Sequence, residues 1–115
     1  MKKFSSVLVA IGLLAVSSSA FAHPPSAVTL VFDPATKTIS VSAEHAVSRP
    51  KFHFIKKIDV SVNGKQVKEF TFLEQENKMR QRATYVLADI KADDIIAVKA
   101  TCNLIGSKEE KLTVK

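Results

Sequence analysis

FIKKIDVSVNGKQVKEFTF, residues 54–72, reads as two strands folded back on each other at Asn63-Gly64. Asn-Gly suits a two-residue type I′ turn, in which both central residues take positive φ and the twist matches that of the flanking strands. Ile58, Val60 and Val62 fall on one parity, the period of two expected of a half-buried strand.

The same period recurs outward from this hairpin. AVTLVFD (27–33) places Val28, Leu30 and Phe32 against more polar neighbours and stops at the turn-rich DPATKT. TISVSAEHA (38–46) puts Ile39, Val41, Ala43 and His45 on one face, with Ser40, Ser42 and Glu44 on the other. RATYVLAD (82–89), DDIIAVKATCNL (93–104) and KEEKLTVK (108–115) supply further strands. LEQENKMRQR (73–82) lacks a sustained apolar face and reads as a loop. About seven short strands joined by polar turns predict an all-β chain, an immunoglobulin-like antiparallel β-sandwich. No internal repeat and no second domain is visible.

The first 22 residues stand apart. Lys2 and Lys3 precede an uncharged apolar run from Val7 to Val16, and small residues end at Ala20-Phe21-Ala22. That pattern predicts a cleaved secretory signal peptide at 1–22, too short for a stable membrane span. Residues 23–115 are then one small domain, periplasmic or secreted, with no membrane association after cleavage. The residue directly after the expected cut is His23 and not Cys, which argues against a lipid anchor.

The formal net charge of +6 falls by two with Lys2 and Lys3, and the remaining basic residues alternate with acids. No basic block with interleaved aromatics is present, so nucleic acid is not expected as a partner. A mildly basic surface suits a small anion. The single cysteine, Cys102, cannot form an internal disulfide; an inert core thiol, an intermolecular bridge or a metal ligand are the readings open to it.

Chemistry can reside in four side chains: His23, His45, His53 and Cys102. Imidazole and thiolate suit iron, copper or zinc, but no pair has the tight spacing of a structural zinc finger. His45 shares the inward parity of its strand, and Cys102 shares that of Ile96, Val98 and Ala100. The two can therefore meet at one rim of a sandwich. His53 has the parity opposite to Ile58, Val60 and Val62, which points it to solvent unless a bulge or loop near Pro50 reverses the phase. His23 taken alone is simply a residue near a chain end.

Together these residues carry a resemblance. EHAVSRPKFHFIKKIDVSVNG (44–64), followed by CNLIG (102–106), is similar to the iron-binding domain of superoxide reductases, the desulfoferrodoxin and neelaredoxin family. His45 and His53 match the family's loop pair, although Ala46 stands where Pro is common. Cys102-Asn103 and Gly106 match the late Cys-Asn-x-His-Gly motif, and His23-Pro24-Pro25 resembles the early His-x-Pro. The resemblance implies a mononuclear non-haem iron centre with metal ligands His23, His45, His53 and Cys102. It further implies one-electron reduction of superoxide to hydrogen peroxide, fed by an unidentified electron donor.

Two departures alter that expectation. Ile105 occupies the place of the family's final His ligand, and Phe21-Ala22 stand where a Glu and a Lys usually assist the open coordination position. Cleavage after Ala22 would expose the α-amine of His23, a nitrogen able to fill the coordination site lost at Ile105. Pro24 lacks an N–H, which disfavours chelation through successive backbone amides. Three functions follow. One is a superoxide reductase-like iron protein with an altered ligand set. The second is a non-enzymatic copper or other metal-binding protein, and the third an immunoglobulin-like interaction module whose metal site has decayed.

Overall fold

The computed structural model describes residues 22–115; the expected signal peptide, but for Ala22, lies outside the described residues. Seven strands follow the alternating runs: β1 (Ala27–Asp33), β2 (Thr38–Glu44), β3 (Ile55–Val62), β4 (Lys65–Thr71), β5 (Arg80–Val86), β6 (Ile95–Cys102) and β7 (Ser107–Thr113). They form a three-stranded sheet in the order β1-β2-β5 and a four-stranded sheet in the order β4-β3-β6-β7. Every pairing is antiparallel. This is the immunoglobulin-like pattern, with its first, second and fifth strands in one sheet and its third, sixth and seventh in the other.

The predicted hairpin joins β3 to β4. Asn63 and Gly64 have φ of 51° and 85°, as a type I′ turn requires. Asn63 also accepts the Ile95 N–H (2.9 Å) and donates to Asp94 (3.0 Å), tying the turn to the start of β6.

Side chains alternate about each strand, so the inward sets of the two sheets meet. Ile39, Val41 and Ala43 of β2 face Ile58 and Val60 of β3 and Ile96, Val98 and Ala100 of β6, all at most 3% exposed. Each large aliphatic side chain removed from water there is worth ~1.5–3 kcal/mol. The edge strand β7 carries Lys108, Glu109, Glu110 and Lys111 exposed, and charge on an edge discourages pairing with another chain.

One end of the sandwich gathers the C-termini of β2, β4 and β6 with the N-termini of β1, β3, β5 and β7. The ladder between β3 and β6 shifts register between Ile55 and Lys57. The irregularity resets the side-chain phase, for Ile55 and Ile58 are both fully buried although three residues apart. Two residues before Ile55 stands His53, which therefore points inward. The solvent-facing orientation expected from strand parity is overturned by this local break.

Candidate metal centre

Three histidines converge at that end. His45 lies one residue beyond β2 and continues its inward parity; it is 0% exposed. Its N–H donates to the Met79 carbonyl (2.9 Å), which prolongs the pairing with the β5 side past the end of the strand. His53 follows a tight turn in which the Phe52 and His53 N–H groups both donate to the Arg49 carbonyl, each at 2.9 Å. Asn103, the residue after β6, clamps the turn: its Oδ1 accepts the Phe54 N–H (2.9 Å) and its Nδ2 donates to the Phe52 carbonyl (3.1 Å). The Asn of the Cys-Asn pair thus holds the residues on either side of His53.

His23 arrives on the N-terminal segment. Ser26 N–H donates to the Glu44 carbonyl (2.8 Å), and Pro25 is fully buried. Pro24 packs on Gly106, where a Cβ would come within 2.8 Å of the proline Cβ; Gly106 also has φ +76°. Glycine there allows both the turn and the close approach. The His23 ring then lies with Nε2 3.0 Å from the Ala46 carbonyl oxygen and Nδ1 3.0 Å from the Pro24 carbonyl oxygen; a neutral ring donates to one of the two and keeps its lone pair on the other nitrogen.

The ring centroids form a nearly regular triangle, 4.6 Å for His45–His53, 4.8 Å for His23–His45 and 4.9 Å for His23–His53. One nitrogen from each ring lies within 4.8 Å of the others. An ion with bonds of ~2.1 Å holds its nitrogens roughly 3–4 Å apart, so closure asks for a shift of about an ångström. His53 Nε2 is buried without any hydrogen-bond partner. Burial, then the positive charges available to His45 and His23, hold the His53 pKa below its ordinary 6.5, while a main-chain contact with His23 opposes the shift. A neutral imidazole with an unused lone pair is the state that ligates a metal.

Cys102 is not among the groups that gather within 4.8 Å. It is nevertheless buried, 3% exposed, and lies opposite Ile55 in the β3–β6 ladder. Its Sγ accepts the Leu104 N–H at 3.4 Å, in the turn between β6 and β7. Ile105 is half-exposed in that turn.

One residue of the centre carries no sequence signal. Gln75, in the β4–β5 loop, is 2% exposed and uses both ends of its amide. Oε1 lies 2.8 Å from His45 Nδ1 and accepts the Ile55 N–H (3.1 Å), while Nε2 donates to the carbonyls of His45 (2.8 Å) and Asn77 (2.9 Å). Its own N–H donates to the Pro50 carbonyl (2.9 Å). Gln75 therefore links the loop to the end of β2 and the start of β3. Neither periodicity nor motif marks a polar residue in a polar loop.

Comparison of the chain with protein-family models, with curated proteins and with solved structures gave no match.

Proposed function

We propose that residues 23–115 form an exported metal-binding β-sandwich whose His23, His45 and His53 hold one transition-metal ion. The observation that carries this reading is the buried, unpartnered His53 Nε2 inside a triangle of imidazoles. A buried polar atom without a partner costs about 1–3 kcal/mol, and coordination would remove that cost. Iron is the first assignment, on the resemblance to superoxide reductases, and copper the alternative, because imidazole and thiolate suit both. Cys102 enters the ligand set from the resemblance alone.

Iron would supply reversible one-electron chemistry at this end of the sandwich. On that reading the small anion is superoxide, which takes one electron and two protons to become hydrogen peroxide, so a donor must return one electron per turnover. The protein's part is to hold the imidazoles and keep the buried side of the centre dry.

Protein cut between Ala22 and His23, purified without chelator, should contain one metal per chain by elemental analysis. An oxidised iron form should show thiolate-to-iron charge-transfer absorption that Cys102→Ser abolishes. A copper form should instead show a cupric resonance. With iron present, superoxide loss accompanied by peroxide formation tests the reductase reading. Metal-free protein that takes up neither iron, copper nor zinc would sink the metal reading and leave the interaction module. That second reading draws on the same end of the fold, where Phe52 is 63%, Leu104 55% and Ile105 52% exposed. Such apolar side chains around one site are what a partner would cover.

A further inference from the structure

We propose that Gln75 is a positioning residue that selects which nitrogen of His45 binds metal; this assignment rests on the metal centre proposed above. A side-chain amide has an accepting end and a donating end. Three main-chain groups decide which end faces which way. Ile55 presents an N–H, which needs the oxygen, whereas His45 and Asn77 present carbonyls, which need the NH2. Turning the amide over would set NH2 against N–H and oxygen against two carbonyls, three unfavourable contacts in a place water does not reach. The orientation of Gln75 is thus imposed by the backbone.

The consequence falls on His45. Its Nδ1 lies 2.8 Å from the Gln75 oxygen, an atom that only accepts. Nδ1 must therefore carry the proton. In the neutral ring the lone pair is then on Nε2, and Nε2 alone can bind a cation. Nε2 faces the N-terminal segment, 3.0 Å from the His23 carbonyl oxygen. With the proton committed to Nδ1, that contact sets lone pair against lone pair unless a second proton or a metal ion enters.

The loop that presents Gln75 is held independently of the histidines. Glu76 pairs with Arg82, and its N–H donates to the buried Gln81 Oε1 (2.7 Å). The chain of constraint runs from the main chain at Ile55 and Asn77, through one amide, to the tautomer of one ring. Hydrogen bonds of this kind fix ring orientation and ligand basicity, and losing one typically lowers metal affinity 10- to 100-fold.

Nitrogen-15 NMR of the full chain, with zinc as a diamagnetic probe, tests the assignment. His45 should show a protonated Nδ1 both without zinc and with it, and zinc should move the Nε2 resonance. Gln75→Leu removes the acceptor and should lower zinc affinity about 10- to 100-fold while letting His45 populate the other tautomer. Gln75→Glu keeps an acceptor and should retain the Nδ1–H tautomer. Zinc bound through His45 Nδ1, or an Nε2–H tautomer in the wild-type protein, overturns the proposal. So does Gln75→Leu binding zinc with wild-type affinity and tautomer. If Gln75→Leu fails to fold, the wild-type spectra decide. If zinc does not bind, the metal reading fails, while the metal-free tautomer still decides the role of Gln75.

Discussion

His53 is 9% exposed, and its Nε2 meets no donor or acceptor. The energetics of that position depend on pH. Because burial and the neighbouring imidazoles lower its pKa below 6.5 in the folded chain, the unfolded chain binds the proton first on acidification. The unfolded state then holds more protons, and stability rises with pH through the window just below 6.5. Metal-free protein should therefore lose stability as the pH falls from 7.5 to 5, read as a lower urea midpoint. His53→Leu should flatten that dependence. A midpoint equally pH-sensitive in the variant would place the titration elsewhere. Pro50 signals that the backbone near His53 can be irregular, but the inward turn itself depends on a register break against β6 and on Asn103 from beyond that strand.

At the scale of elements, the N-terminal segment and the two glycine turns separate backbone strain from contact. Gly64 has φ +85° with nothing within 4 Å of a Cβ, whereas Gly106 has φ +76° and Pro24 at 2.8 Å. Gly64→Ala should cost about 1–2 kcal/mol, the left-handed penalty alone, and leave metal binding intact. Gly106→Ala should cost at least as much and also displace Pro24, weakening metal affinity through His23. Parallel denaturation curves and zinc titrations check the pair; equal zinc affinity in both variants would mean that Pro24 does not position His23. The same segment tests the terminal amine. Protein beginning at His23 should bind metal markedly more tightly than protein with one extra residue before it, and equal affinities would remove the amine from the ligand set. Elements themselves were legible: all seven strands appear where alternation placed them, and the loop at 73–82 yields only its last residues to β5.

For the whole molecule, the core and the centre lie in different parts of one small sandwich. Ile58 is fully buried between the sheets, and Ile58→Ala should cost about 2–5 kcal/mol. That is a large share of the 5–15 kcal/mol typical of a domain. The variant should still bind zinc while folded, and zinc at 100 times its Kd should restore ~2.7 kcal/mol. Calorimetry with and without zinc measures both quantities. Lack of any zinc-dependent shift in a folded variant would argue that the three imidazoles do not share an ion.

Local residue order determined the strands and the inward parity of His45 and Cys102, consequences of a two-residue period, and the Asn63-Gly64 turn, a consequence of two residues that accept positive φ. Tertiary structure decided the rest. The shift between Ile55 and Lys57 turned His53 inward, Gly106 admitted Pro24 and so placed His23, and the β4–β5 loop delivered Gln75 to His45. The physical reason is common to all three. Each is a contact between segments far apart in the chain, where the backbone's need for donors, acceptors and room overrides the local pattern.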